Sequence, residues 1–224
     1  MHRPQGYLIT GTDTGVGKTL ATCVLLHALA HQGIRAVGMK PVAAGTDPEG
    51  RNEDVEALLA AASVPAPRDL VNPYCFAAAI APHVAAVEEG RTIELAPILH
   101  AFQQLTRLAD QVLVEGVGGF LVPLGEQLDT GDLATRLQLP VILVVGLRLG
   151  CLNHALLTAE AIRARGLPLA GWIANHLDPA MERWQESLET LRHRLQAPLL
   201  GSLPHSPKPD PAALATHLSF NINH

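Results

Sequence analysis

The run Gly11-Thr12-Asp13-Thr14-Gly15-Val16-Gly17-Lys18-Thr19 sets glycines, a lysine and a hydroxyl at the spacing that a triphosphate needs. It reads as a phosphate cradle. In such a loop, backbone N–H groups and the positive end of the following helix face the anion, Lys18 adds a point charge, and Thr19 offers an oxygen to magnesium. The short β-prone Tyr7-Leu8-Ile9 precedes it and the alanine- and leucine-rich stretch from Leu20 to His31 follows, which is the strand–loop–helix context the motif requires. The usual pattern has its first glycine at the position of Thr12; here glycine lies one step earlier, at Gly11.

Three further segments carry polar groups at the ends of apolar runs: Lys40-Pro41, Glu115-Gly116-Val117-Gly118-Gly119 and Leu149-Gly150-Cys151-Leu152-Asn153. A magnesium triphosphate needs oxygen ligands besides a loop threonine, and Glu115 closing an otherwise apolar strand fits that role. Asp54, at the head of an alanine-rich helix, is a second candidate, and an ordinary helix-start acid favoured by the dipole fits it as well. Lys40 precedes a proline that bars it from continuing into a helix, so its amine is expected to project toward the crevice that holds Lys18. Two lysines there suit two anionic groups, as in phosphoryl transfer. The glycine-led start of a helix at Gly150–Asn153 presents free N–H groups to a carboxylate or phosphate. Cys151 has no neighbouring cation to activate it and reads as a buried structural thiol. His27 and His31 have the helical i, i+4 spacing of a metal pair but lack a third ligand, and read as surface histidines.

These groups must be held by a scaffold, and the apolar runs supply one. Strands are expected at about 6–11, 34–40, 111–115, 140–146, 168–174 and 198–203, alternating with helices. Runs such as Val141-Ile142-Leu143-Val144-Val145 are apolar on both faces, as in a mostly parallel sheet with helices on both sides. Ligands then lie at the carboxyl ends of the strands. The stretch Ala43–Asn52, with Gly45, Pro48 and Gly50, reads as a loop, as does the proline-dense tail around Pro204, Pro207, Pro209 and Pro211.

The 224 residues fit a single domain spanning 1–224, with 48% hydrophobic and 17% charged residues. A net charge of −5 argues against a nucleic-acid backbone binder. Cys23, Cys75 and Cys151 stand far apart, so neither a disulfide framework nor a zinc knuckle is expected, and a reducing cytoplasm fits. Met1–Gly6 leads straight into the first strand without an apolar leader, and the longest apolar run, Leu139–Leu147, is too short to span a membrane.

With these residues in place the chain resembles the dethiobiotin synthetases, over nearly its whole length. Besides the loop, the matching segments in order are Met39-Lys40-Pro41-Val42, Val71-Asn72-Pro73-Tyr74, Ala81-Pro82-His83, Val114-Glu115-Gly116, Gly150-Cys151-Leu152-Asn153-His154 and Ala170-Gly171-Trp172-Ile173-Ala174-Asn175. The shifted Gly11 is that family's version of the loop.

The resemblance implies a single-domain P-loop NTPase-like α/β fold. It also implies an ATP- and magnesium-dependent closure of 7,8-diaminononanoate with carbon dioxide to dethiobiotin, through a carbamate and a carbamic-phosphoric anhydride. Lys40, Lys18 and Thr14 are then the residues at the reacting groups. Gly15, Val16, Gly17, Lys18, Thr19 and Leu20 hold the phosphates, Gly116, Val117 and Gly118 lie beside them, and Thr19, Asp54 and Glu115 surround the metal. Asn175, His176 and the Pro204-His205-Ser206 loop border the base. Ala44, Gly150, Cys151, Leu152 and Asn153 face the substrate, the last four holding its carboxylate across a homodimer interface.

Three positions depart from the family's pattern: Gly15 where some relatives carry glutamate, Ala44 in place of a serine that contacts the substrate, and His176 in place of an acid after the base-reading asparagine. The competing class is the nucleotide switch of the partitioning and division-site type. Such ATPases have a lysine at the position of Asp13 and a basic amphipathic tail for the membrane, and this sequence has neither. An amide-forming ATP enzyme with a glutamine-hydrolysing domain would need a longer chain.

Overall fold

The structure, a computed structural model, describes residues 5–220; Met1–Pro4, expected to lead directly into the first strand, and residues 221–224 lie outside them. In chain order the elements are β1 (Gly6–Gly11), α1 (Lys18–His31), β2 (Ala36–Met39), β3 (Val42–Ala44), α2 (Glu53–Ala61), α3 (Arg68–Val71), β4 (Tyr74–Phe76), α4 (Pro82–Glu88) and α5 (Leu95–Leu108). They continue with β5 (Gln111–Glu115), α6 (Thr130–Leu137), β6 (Val141–Leu147), α7 (Cys151–Ala164), β7 (Leu169–His176), α8 (Trp184–Arg194), β8 (Leu199–Leu203) and α9 (Pro211–Leu214).

The six expected strands form one parallel sheet in the order β2-β5-β1-β6-β7-β8. Every residue of β1, β5 and β6 is buried, because both faces are covered. Successive side chains of a strand point to opposite faces. Leu8, Val112 and Val114 accordingly pack with Ile98, Phe102 and Leu105 of α5, while Ile9, Leu113 and Val144 pack with Leu25, Leu26 and Leu29 of α1. Farther along, Leu143 and Val145 meet Ala155 and Ala159 of α7. The small side chains of α7 let its backbone lie close to the sheet.

Two expectations are corrected. Ala43 and Ala44 are not loop but part of β3, which pairs in parallel with β4 through Val42–Tyr74 and Ala44–Phe76. Three residues carry no readable periodicity, and the pairing depends on a remote group: the Asn72 amide donates to the Lys40 carbonyl at 2.6 Å and the Tyr74 carbonyl at 2.9 Å. Pro211 is not loop either. It opens α9, with the Asp210 carboxylate accepting from the N–H groups of Ala212 and Ala213, the arrangement in which a proline at the first helical position loses no hydrogen bond.

Chain connectivity runs from β1 outward to β2 on one side and later to β6, β7 and β8 on the other, so the crevice opens at the carboxyl end of β1.

Candidate active site

The loop between β1 and α1 folds back over the end of its own strand. A Cβ on Gly11 would lie 2.6 Å from Cγ2 of Val16 and 3.1 Å from Cγ of Lys18, so the shifted glycine is required by this tight return. Gly17 holds φ at +86° and stands directly against Asn175, whose side-chain nitrogen would be 2.2 Å from an added Cβ. The Asn175 amide donates to the Val16 carbonyl at 2.9 Å and braces the loop from behind. The Lys18 ammonium lies over the loop, 3.1 Å from the Asp13 carbonyl. Burial, with the Lys40 ammonium adding to it, pulls the Lys18 pKa down to about 8.

Beside the loop, side chains from α1, α2 and β5 meet Lys40, which stands just past the end of β2. Lys40, 3% exposed, donates to Glu115 Oε1 at 2.6 Å and to Asp54 Oδ2 at 2.8 Å. The Thr19 hydroxyl stands 2.7 Å from Asp54 Oδ1 and 2.8 Å from Glu115 Oε1, yet has one proton to donate. Asp54 reaches the cluster because the Asn52 side chain caps α2 by accepting the Val55 N–H, which sets the first turn of the helix. Burial alone would lower the Lys40 pKa, but the Glu115 and Asp54 carboxylates outweigh it and hold the amine protonated. Burial likewise works against ionised Asp54, and the Lys40 charge, its hydrogen bond and that of Thr19 keep this carboxyl below its usual range.

Glu115 Oε2 is buried without a hydrogen-bond partner among the described residues. An orphaned carboxylate oxygen beside a hydroxyl and a second carboxylate is a hard-oxygen set that fits a magnesium ion.

The loop and this cluster open into one cleft of about 930 Å³, within the range of small-molecule sites. The structure brings together there Thr14, Gly15, Gly17, Lys18, Thr19, Lys40, Ala44, Asp54, Val117 and Gly118 from the expected set. Val16 is buried and offers only its backbone, Leu20 lies one residue beyond on α1, and the Gly116 carbonyl is 3.4 Å from Lys40 Nζ.

Other expected residues do not line this cleft. Cys151 is 3% exposed and packs into the core, as read from the sequence, while Asn153 is exposed at the start of α7 behind Gly150, whose φ is +94°. His176 stands at the end of β7 with Nε2 2.9 Å from the Ser202 hydroxyl and its ring edge-on to Trp184; burial lowers its pKa. Pro204 and His205 are exposed and Ser206 is partly buried in the loop after β8.

Sequence reasoning missed Ala79, Ile80, Glu53 and Val122, and although it singled out Gly119 and the Ala81-Pro82-His83 segment, it gave them no place in the wall of the cleft. Pro82 at the first position of α4 was a readable signal for a helix start, but nothing local aims that start at the cleft.

A parallel sheet with a glycine-rich loop feeding a helix, two lysines and an oxygen cluster at its carboxyl end defines a P-loop nucleotide-dependent protein. Residues 5–213 match the AAA domain family. Among solved structures, the fold is similar to MinD in the MinC:MinD cell division complex of Aquifex aeolicus, with TM-score 0.55, 17% identity and coverage of 91% of this chain and 83% of that one. A ParA family ATPase of Chlorobium tepidum has TM-score 0.54, 10% identity and coverage of 91% and 86%. At such identities the likeness is one of fold.

Sequence relatives carry it further. The "ATP-dependent dethiobiotin synthetase BioD" of Aromatoleum aromaticum is 57% identical over 221 residues, 97% of this chain and 98% of that protein. Proteins of the same name from Xylella fastidiosa and Xanthomonas euvesicatoria are 53% and 54% identical, over 96% and 98% of this chain and 96% and 99% of their own. The chain belongs to the dethiobiotin synthetase family.

Proposed function

We propose that the cleft between the phosphate loop and Lys40 carries out the ATP-dependent dethiobiotin synthetase reaction. Its substrates are 7,8-diaminononanoate, carbon dioxide and ATP, and its products dethiobiotin, ADP and phosphate. One amine captures carbon dioxide as a carbamate and loses a proton. A carbamate oxygen attacks the γ-phosphorus and ADP leaves. The second amine then attacks the carbonyl carbon of the mixed anhydride, and phosphate leaves as the cyclic urea closes.

The observation that carries the reading is the pairing of two buried lysines, Lys18 and Lys40, at one cleft. Bringing an anionic carbamate to a polyanionic triphosphate is opposed by repulsion, and preorganised cations offset it where water is excluded. Lys18 and the loop N–H groups hold the triphosphate. Lys40, kept protonated, serves as a cation for the carbamate and the transferring phosphoryl group and not as a base. Magnesium, which Thr19, Asp54 and Glu115 would hold, supplies further neutralisation of phosphate charge when bound. Thr14 and Ala44 face the diamine, with no side-chain hydroxyl at position 44 to contact it.

The working unit in this proposal is a homodimer of single-domain chains in the cytoplasm. The Gly150–Asn153 turn lies outside its own chain's cleft, and Leu149 beside it is 96% exposed, which supports a role toward the carboxylate in the other subunit's site. The free cysteines suit a reducing compartment, and among the described residues no helix is long and apolar enough to cross a membrane. Asn175, His176 and Pro204–Ser206, at the ends of β7 and β8, border the base. Asn175 spends one amide proton on the Val16 carbonyl and keeps its other amide groups for the base.

The test supplies purified protein with diaminononanoate, bicarbonate, magnesium and ATP, and follows phosphate and cyclic urea. Phosphate release indifferent to omitting the diamine would overturn the reading. Lys40→Ala should lower turnover by orders of magnitude while ATP binding persists.

A further inference from the structure

We infer that Arg148 is a positioning residue of the nucleotide loop, cancelling the charge of Asp13 and tying the end of β6 to that loop. The inference rests on the cleft's being the nucleotide site. An acid inside a phosphate loop is electrostatically awkward: Asp13 sits among the N–H groups that receive the anion, and its charge is felt at the Lys18 ammonium. Arg148 answers it, with Nη2 2.5 Å from Asp13 Oδ2.

The other acceptors of Asp13 are also engaged. Oδ1 takes the Thr14 N–H at 2.8 Å, and the carbonyl lies 3.1 Å from Lys18 Nζ. The one residue that Arg148 grips therefore sets both the Thr14 amide and the Lys18 ammonium.

The grip is possible because β1 and β6 are neighbours, with Gly11 opposite Val144. Strand pairing brings the β1–α1 and β6–α7 junctions side by side, and Arg148 spans them. Its carbonyl accepts the Cys151 N–H at 3.0 Å, so the residue whose guanidinium grips the phosphate loop also belongs to the turn that starts α7. Lys40, Glu115 and Asp54 act on the Lys18 side of the loop, whereas Asp13 Oδ2 is paired with Arg148, and losing Arg148 removes that ion pair and turns the Asp13 charge toward the triphosphate.

The test measures affinity for a non-hydrolysable ATP analogue by calorimetry, in the full protein with magnesium, for Arg148→Ala, Arg148→Lys, Asp13→Asn and Arg148→Ala with Asp13→Asn. Both side chains are nearly half exposed. Arg148→Ala should therefore weaken the analogue by roughly two- to fivefold, the range of such pairs, and the loss should fade at high salt. Arg148→Lys should lose less. The decisive result is the double variant: asparagine still accepts the Thr14 N–H, so removing the acid should restore affinity although the arginine is absent. A merely structural pair would not reverse in this way, and melting temperature measured alongside checks that it does not track affinity.

If Asp13→Asn fails to rescue Arg148→Ala, the arginine acts on the phosphates directly and the inference is overturned. It is overturned equally if no single variant changes affinity. Failure of the unaltered protein to bind the analogue would instead refute the nucleotide site itself.

Discussion

Lys40 makes the sharpest prediction, because one ammonium donates to two carboxylates at once. Glu115 has no solvent exposure, whereas the Asp54 side chain is 40% exposed and can be hydrated when its partner is lost. Replacing Lys40 by methionine keeps the volume and removes the charge, leaving Glu115 buried beside Asp54 without its directly bonded cation, with Lys18 the remaining cation nearby. Breaking a buried pair from one side costs about 3–5 kcal/mol. In a chain of this length, 1 kcal/mol moves the melting temperature by about 2–4 °C, so the ligand-free variant should melt roughly 6–20 °C lower.

The same vacancy changes the response to metal. In the native protein Lys40, with Lys18 nearby, offsets the charge of the two carboxylates, and magnesium without nucleotide should move the melting temperature far less than in the variant. In Lys40→Met, magnesium at ten times its dissociation constant should return about 1.4 kcal/mol, or roughly 3–6 °C. Differential scanning calorimetry with and without magnesium, against a chelator control, reads both effects. An equal magnesium shift in the two proteins, or a methionine variant as stable as the native one, would refute the reasoning that Lys40 is the resident cation of this cluster.

Lys18 predicts a pH effect. Its pKa of about 8 lies below the ordinary 10.5, so between these values the unfolded chain holds more protons than the folded one, and this group makes the ligand-free protein more stable as pH rises through that window. An arriving triphosphate favours the ammonium, so nucleotide binding near pH 8 should take up a proton and weaken above it; calorimetry showing no buffer dependence would contradict this. Gly17→Ala should lose nucleotide affinity by more than tenfold, because its Cβ would meet Asn175 and its φ of +86° costs about 1–3 kcal/mol for alanine. Adding Asn175→Ala should recover the steric part only, and normal binding by the single variant would exclude the clash. Leu149→Glu should yield a monomer by light scattering, with analogue binding kept and turnover lost; an unchanged dimer at full turnover would rule out this surface as the interface.

The parts of this protein legible in its sequence are those whose cause is local. Six strands could be read because residues such as Val141–Val145 are apolar on both faces, and the phosphate loop because its function depends on nine consecutive residues. Lys40, Asp54 and Glu115 were recognisable as residue types at element ends. The β3–β4 pair escaped notice because three residues have no period and Asn72 organises them. The Asp210-Pro211 start of α9 was readable, yet a proline-rich setting outweighed it.

The sequence by itself thus determined which groups are available: a phosphate cradle, two lysines, two acids and a hydroxyl, each near an end of an expected strand or helix. Only the tertiary structure decided what they do to one another. Whether Lys40 meets both carboxylates, whether Asn175 braces Val16 or stays free, and whether Arg148 reaches Asp13 across 135 residues all follow from strand order and helix crossings. These contacts join residues far apart in the chain, and their free energy is realised only once the parallel sheet has brought the strand ends together.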